Sequence, residues 1–372
     1  MAVSLDVCIR GAGVVGRTLA LLLARERLRV GLVEQAPAAD GESGDIRAFA
    51  LNPASKDLLE MLRVWPDAQA VTPVLAMQVH GDQGGEVNFT AAEQGAPALA
   101  WMVDAAALQR RLAEALRYQP LVELLQVPQP AQLTVVCEGK ASATRAEFGV
   151  QFDITPYPQQ AIAARLACEK PHALTARQWF AGGEIVALLP LGGTGAESAG
   201  NLTALVWSVD EERAPALLAL PAPEFQAQLE VATHAALGKL TLVGERAAWP
   251  LQLAQAGRWS GPGWVLAGDA AHTVHPLAGQ GLNLGLADAC ELAGVLRGRE
   301  YWRGVGDARL LRRYERARKA DVLALGAATD GLQQLFALQT PATGWLRNWG
   351  MRGFERSGPL KQWVARQAMG RL

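Results

Sequence analysis

The stretch Leu5-Asp6-Val7-Cys8-Ile9-Arg10-Gly11-Ala12-Gly13-Val14-Val15-Gly16 decides the fold. Leu5 to Ile9 is a short apolar, β-branched run, which reads as a buried strand. It passes directly into G-x-G-x-x-G. Arg17 to Arg27 follows at helical period, and a second strand, Val30 to Val33, closes on Glu34. In such a strand–turn–helix–strand unit each glycine has its own task. Gly11 permits the tight turn, Gly13 lets the backbone approach a pyrophosphate, and Gly16 allows close packing of helix on strand. The helix then presents unpaired N–H groups to the phosphates. Glu34 lies 18 residues past Gly16, where a carboxylate accepts from ribose hydroxyls. The unit binds a dinucleotide, and by itself does not separate FAD from NAD(P).

Outward from this unit, Leu108 to Leu116 reads as a helix with Leu108, Leu112, Ala115 and Leu116 on one face. Leu133 to Val136 reads as a buried strand stopping at Glu138-Gly139. Between Ile154 and Pro250 the texture changes to strand-like runs: Ala161 to Ala167, Ile185 to Leu189, Leu202 to Val209 and Leu240 to Val243. Gly/Pro-rich turns separate them, and one helix, Pro223 to Leu237, interrupts the series. Trp264 to Ala267 returns to a buried strand. A loop, a helix from Gly281 to Leu296 and a helical remainder complete the chain, with Ala308 to Leu325 the clearest helix there.

Composition bounds the function. The 372 residues are 50% hydrophobic and 19% charged, enough for a sizeable core and too apolar for disorder. At roughly 150 residues per domain the length suggests two domains. The four cysteines share no metal-type spacing, which fits a reduced cytoplasmic compartment. Asp6 interrupts the first apolar run, and Arg17 and Arg25 close the run Thr18 to Ala24, far short of the roughly 20 residues of a membrane span. The chain reads as soluble. Its near-neutral balance (35 Lys+Arg, 36 Asp+Glu) hides an asymmetry: Arg297 to Leu372 holds 15 basic and 6 acidic residues, +9 net. This segment also carries Trp345, Trp349, Phe354 and Trp363. Two readings stand for it: a solvated helical face, or a surface for an anionic membrane or an acidic partner.

A second motif selects the cofactor. Gly268-Asp269-Ala270-Ala271-His272 follows the strand Trp264 to Ala267; Pro276 and Gly279-Gln280-Gly281-Leu282-Asn283 then open a helix. A carboxylate after a glycine can bind the ribityl hydroxyls of a flavin. The helix start can aim N–H groups at the pyrimidine end of the isoalloxazine. The combination resembles the class A flavoprotein aromatic hydroxylases, the p-hydroxybenzoate hydroxylase type, and within them the ubiquinone-biosynthesis hydroxylase family. The same family resemblance extends through Asp45 to Asn52 with Ser55, Trp101 to Asp104, Ala187 to Leu191, Leu346 to Met351 and Arg366 to Gly370, so it covers nearly the whole chain.

The resemblance implies an α/β fold: a Rossmann-type FAD-binding domain, an antiparallel-sheet substrate domain and a helical C-terminus. The FAD-binding domain is expected over 1–75, 98–150 and 256–330, the substrate domain over 76–97 and 151–255, and the C-terminal segment over 331–372. It implies that Gly11, Gly13, Val15 and Gly16 hold the FAD pyrophosphate and Glu34 the adenosine ribose. Arg47 and Gln109 would reach the FAD, and Gly268 and Asp269 the ribityl chain. Pro276, Gly279, Gln280, Gly281, Leu282 and Asn283 would line the flavin ring. No side chain is assigned as catalytic beyond the flavin-lining loop of Pro276, Gly279 and Gln280. By the resemblance, NAD(P)H is the co-substrate that reduces FAD, and a flavin 4a-hydroperoxide hydroxylates a polyprenylated phenol or quinol. A lipid-like substrate then implies a cytoplasmic enzyme, peripheral at the inner membrane or joined to a biosynthetic-complex partner through the basic C-terminus. No nucleic-acid partner is expected.

Two departures from the family pattern bear on FAD. Glu138 stands where the family carries Asp, within Cys137-Glu138-Gly139-Lys140-Ala141-Ser142-Ala143-Thr144-Arg145. The family's small β-meander before that strand is shortened to Leu121 to Leu133, with Pro128 and Pro130. Both keep open a non-catalytic flavin-binding subunit as an alternative, and a hydroxylase of soluble aromatic acids is a third reading. His272 and His275 lack a third ligand, so no metal is expected. The absence of a G-x-S-x-G elbow leaves a serine hydrolase unsupported. Tyr157 and Arg165 fall in the substrate sheet without an assigned role.

Overall fold

A computed structural model describes residues 4–34, 46–81, 84–192, 200–274, 280–337 and 357–358. Its first layer is a parallel sheet. Strand Leu5–Arg10 sits between Val30–Val33 and Ala131–Val136; Val122–Leu125 lies outside the former, and Trp264–Leu266 outside the latter. All of these pairs are parallel, and a short antiparallel strand, Ser260–Gly261, finishes one edge. Strands of such a sheet are covered on both faces and so read as continuous apolar runs. Val7, Ile9, Val30, Leu32, Leu133 and Val135 are all fully buried.

Helices Val14–Arg25, Ala105–Arg117 and Gly281–Arg297 pack together against this layer. Helix Ala105–Arg117 buries the face read from the sequence, Leu108, Leu112 and Leu116, and the Asp104 carboxylate caps its N-terminus by accepting from Ala107 N–H at 2.9 Å.

The second layer is an eight-stranded sheet. In order it holds His272–Thr273, Leu240–Ala256, Phe152–Cys168, Leu202–Asp210, Glu184–Leu191, Thr175–Ala181, Ala76–His80 and Glu86–Thr90. An all-antiparallel sheet was expected here; the pair Ala76–His80 with Thr175–Ala181 is parallel. Two strands also run longer than the sequence suggests. Phe152–Cys168 and Leu240–Ala256 each span 17 residues. The sequence runs are shorter: Ala161 to Ala167 begins after Pro156 and Pro158, and Leu240 to Val243 stops at Gly244, whereas the sheet absorbs the two prolines in a register shift between Pro156 and Gln160. The helical interruption is two pieces, Ala214–Ala219 and Ala222–Ala232. Between the layers stands a three-stranded antiparallel sheet with Ala100–Asp104 at its centre, flanked by Ala48–Leu51 and Val71–Val74. Helix Ala308–Ala337 runs across residue 330 without a break.

No strand lies between Leu125 and Ala131. The registers put Leu125 level with Val33 and Arg10, and Ala131 level with Leu5 at the opposite end of the sheet. Three strand spacings and five residues of rise make a diagonal of ~22 Å, close to the ~21 Å reach of six extended backbone steps. Residues 126–130 therefore cross as a taut, exposed strap, and Pro128 and Pro130 suit that extended conformation. Beneath the strap's face Leu5, Cys8, Val33 and Leu125 form a small separate core.

Candidate active site

The glycines of the first motif divide into two kinds. A Cβ on Gly16 would overlap the carbonyl oxygen of Gly11, and one on Gly11, whose φ is +110°, would overlap the carbonyl of Cys137. These two glycines are demanded by the protein's own packing. Gly13 is different. Its φ of −72° suits any residue, it is exposed, and a Cβ there would meet nothing within 4 Å. Among the described residues nothing needs that space. Gly13 also caps helix Val14–Arg25 without any side-chain hydrogen bond. The first-turn N–H groups stay available to an anion.

Val15 links the two motifs. A Cβ on Gly285 would lie 2.6 Å from the Val15 side chain, and one on Gly268 would lie 3.4 Å from it. The Val15 side chain is thus a packing wedge between its helix and the second motif, so any pyrophosphate contact there falls to its backbone.

The second motif is anchored from behind by Asp288. This fully buried carboxylate accepts from Gly268 N–H at 2.8 Å and from Arg318 Nε at 2.7 Å, and lies 2.7 Å from His272 Nε2. Burial alone would push its pKa up; the pairing with His272 and Arg318 instead holds it below the ordinary value. His272 stacks on Trp259 with ring centroids 4.9 Å apart. Gly268 itself has φ +62°, a turn that glycine makes without strain. Sequence reasoning missed Asp288. Its signal was a carboxylate on the apolar face of the helix from Gly281.

Asp269, held by that turn, has no hydrogen-bonding partner among the described residues. Burial pushes its pKa above the ordinary value, partly offset by Lys140, His272 and Arg47. A half-buried carboxylate without a donor fits a ligand that brings hydroxyl groups. Arg47, exposed beside Phe49, is thereby placed within electrostatic range of Asp269.

Pro276 and Gly279, with His275, lie outside the described residues. Gln280 caps helix Gly281–Arg297 without a side-chain cap bond, and a Cβ on Gly281 would meet nothing within 4 Å, so among the described residues this is a second open helix start. Leu282 packs against the main core. The Asn283 side chain is spent inside the protein. Its Oδ1 accepts from Asn52 N–H (3.0 Å) and Ser55 Oγ (2.8 Å), and its Nδ2 donates to Ala50 O (2.9 Å). Asn283 therefore pins the Ala50–Ser55 segment, leaving only its backbone to face a flavin.

Glu34 stands at the end of its strand, where Arg17 Nη2 reaches its carboxylate at 2.6 Å. Arg17 Nη1 also donates to the carbonyl of Gln109 at 3.1 Å, so one guanidinium ties Glu34 to the helix carrying Gln109. Glu138 turns inward. Its carboxylate accepts from Ser142 Oγ, Thr144 N–H and Thr144 Oγ1 at 2.7, 3.1 and 2.6 Å. Arg145 in the same turn donates to Ala270 O at 3.1 Å and lies over the Phe152 ring, joining this loop to the second motif.

On the side of the large sheet, Val74, Met102, Ala176, Leu191 and Ala204 form a compact cluster with Ala48 and Ala50 packed against it. Because Asn283 holds the Ala50 carbonyl, this apolar wall begins one hydrogen bond from the open helix start. Arg165 is a strut between layers: Nε donates to Ile46 O at 3.1 Å and Nη2 pairs with Asp104 at 2.7 Å. His172 bonds the Leu191 carbonyl and His80 stacks on Trp179, both within the sheet's own packing. Among the described residues no cluster of metal-ligating side chains occurs.

Comparisons with known proteins give the family. Residues 129–327 match the family described as FAD binding domain. The chain is 32% identical to the ubiquinone hydroxylase UbiL of Rhodospirillum rubrum, over 99% of this chain and 90% of that protein. It is 31% identical to the 3-demethoxyubiquinol 3-hydroxylase of Escherichia coli, over 98% of each. Among solved structures, p-nitrophenol 4-monooxygenase from Pseudomonas putida superposes with a TM-score of 0.76 at 18% identity, covering 99% of both chains. A probable FAD-dependent monooxygenase from Pseudomonas aeruginosa gives 0.75 at 22%, covering 94% of this chain and 100% of that one. With the matched domain spanning more than half the chain and the similarity to both hydroxylases nearly end to end, the protein belongs to the ubiquinone-hydroxylase family of FAD-dependent monooxygenases.

Proposed function

We propose that the protein hydroxylates the aromatic ring of a polyprenylated phenol or quinol in ubiquinone biosynthesis, using FAD, dioxygen and NAD(P)H. The carrying observation is the juxtaposition of the donor-free Asp269 carboxylate, the open start of helix Gly281–Arg297 and the apolar wall of Ala50, Met102, Ala176 and Ala204. When bound, FAD would supply the hydride acceptance from NAD(P)H and the activation of dioxygen.

The chain's own residues bind, orient and exclude water. The open N-terminus at Gly13 receives the pyrophosphate, with Gly11 and Gly16 letting the turn close behind it. Glu34, oriented by Arg17, accepts from the adenosine ribose, and Gln109 lies on the helix that the same arginine ties in. Asp269 accepts from the ribityl hydroxyls, its loop fixed by Asp288. Backbone N–H groups of Gly281, Leu282 and Asn283 would stabilise negative charge at the pyrimidine end of the ring. The Ala- and Met-lined wall admits an apolar substrate and keeps water from the reacting oxygen.

The names of the bacterial relatives, a ubiquinone hydroxylase and a 3-demethoxyubiquinol 3-hydroxylase, support a quinol as substrate. A lipid substrate of this kind supports a peripheral location at a membrane. Among the described residues no helix is long and apolar enough to cross one. The bare strap of residues 126–130 favours a second reading, a flavin-binding subunit without turnover. Adding FAD to purified protein and following NAD(P)H oxidation with candidate phenols separates the two. The hydroxylase reading expects a flavin spectrum and oxidation accelerated by a prenylated phenol. A flavin spectrum with no acceleration by any phenol leaves the subunit reading.

A further inference from the structure

Helix Ala308–Ala337 carries an unusual outer face along its first half. Arg309, Arg312, Arg313 and Arg316 recur at i, i+3, i+4 and i+7, the spacing of one helical stripe, and all four are exposed. Ala320 and Leu323 continue the same stripe, and Leu323 is 55% exposed. The acidic residues of this stretch are turned to other work. Glu315 accepts from Ser260 Oγ and Trp259 N–H and pairs with Lys319; Asp321 pairs with Arg318, which is itself locked to Asp288. Just upstream, Asp307 and Glu300 pair with Arg303. None of the four stripe arginines has an ion-pair partner among the described residues.

The loop before the helix adds an apolar tip. Tyr301 is 93% exposed and Trp302 65%, their rings edge to face at 4.8 Å. Like charges one turn apart repel, and exposed aromatic rings forgo burial, so the isolated fold gains from neither feature. Both match an interface at which headgroup phosphates meet arginines and amphipathic rings sit at headgroup level.

We propose that the Arg309–Arg316 stripe, with Tyr301 and Trp302, is a docking surface for an anionic lipid bilayer. The choice of a bilayer over an acidic protein rests on the reading of the substrate as a membrane-dissolved quinol. The exposed stripe faces away from buried Arg318, the helix's link to Asp288 and the second motif, so the two can be tested separately.

The test is flotation of FAD-loaded, full-length protein with vesicles of phosphatidylcholine, alone or mixed with phosphatidylglycerol. Binding is expected only to the mixed vesicles, and salt should weaken it. Each arginine near such a surface contributes about fivefold, so replacing all four by Gln should cost binding by hundreds of times. The pair Arg312→Gln/Arg313→Gln should lose roughly 25-fold, and serves if the quadruple variant is unstable. Trp302→Ala should weaken what remains. Melting temperature, flavin content and turnover of a short-chain phenol should be unchanged in these variants. Three results overturn the proposal: equal flotation with neutral vesicles, no flotation with either, or wild-type flotation by the Gln variants. Flotation that survives while no phenol is turned over would sink the substrate reading and leave the surface standing.

Discussion

Gly13 and Gly16 are both fingerprint glycines, yet the structure separates what each is for, and a pair of substitutions exposes the difference. Gly13→Val adds a side chain where nothing lies within 4 Å, at an ordinary φ of −72°. Its only cost to the apoprotein is a poorer helix cap, about 0.5–1 kcal/mol. Toward FAD the same side chain stands where the pyrophosphate must approach. Losing two charge-assisted hydrogen bonds of about 1.5 kcal/mol each weakens binding ~150-fold. Gly16→Ala does the reverse. Its methyl overlaps the Gly11 carbonyl oxygen, so the backbone must shift, and such overpacking costs about 1–3 kcal/mol of stability. Thermal melts without FAD, paired with flavin-fluorescence titrations, read both effects. Gly13→Val should melt near wild type and fail to bind, whereas Gly16→Ala should melt several degrees lower. The reasoning fails if Gly13→Val binds FAD normally, or if it destabilises the apoprotein as much as Gly16→Ala.

Other substitutions test the rest of the site. Asp288→Asn leaves buried Arg318 with only the exposed Asp321 carboxylate as counter-charge and should cost up to about 3–5 kcal/mol, checked by denaturant unfolding. The folded-state pKa of Asp288 is lowered, so its stabilisation is present above the unfolded carboxylate value and disappears as pH falls through the folded one. The Asn variant should therefore show a shallower loss of stability in acid. Asp269 has the opposite sign. Its raised pKa means that stability falls as pH rises through the unfolded and then the folded value, so Asp269→Asn should raise the melting temperature of the apoprotein at neutral pH. The same change should weaken FAD, which titration calorimetry would detect. The strap of residues 126–130 offers little wall to the adenosine half of FAD. The protein should purify partly as apoprotein, and excess FAD should raise its melting temperature by mass action; a nanomolar dissociation constant would show the strap to be no defect.

Much of this was legible from residue order because glycine and carboxylate positions carry backbone demands directly. The strand–glycine–helix unit from Leu5 to Glu34 and the Gly268-Asp269 turn needed no tertiary knowledge. Asp288, Arg17 and Arg318 were not legible. Each acts by meeting a partner far along the chain; the position of Asp288 on an apolar helix face marks it as buried, but nothing local says that it holds Gly268. Asn283 misled in part, since a polar side chain at a helix start suits a ligand as well as it suits the Asn52–Ser55 segment it binds. The long strands were hidden by Pro156 and Pro158, whose usual meaning as strand breakers yields to a register shift set by the neighbouring strand, and by Gly244, which the second strand runs through. The parallel pairing of Ala76–His80 with Thr175–Ala181 depends on a contact nearly a hundred residues apart in sequence.

The central claim, an FAD-dependent ring hydroxylase, is tested most directly by isotope. FAD-loaded protein, NAD(P)H and a prenylated phenol are combined under heavy-isotope dioxygen, and the product is weighed by mass spectrometry. The account expects one heavy oxygen on the ring, absent when FAD is omitted and in Gly13→Val. Product oxygen drawn from water, or bound flavin that consumes NAD(P)H without ever labelling the ring, would contradict it.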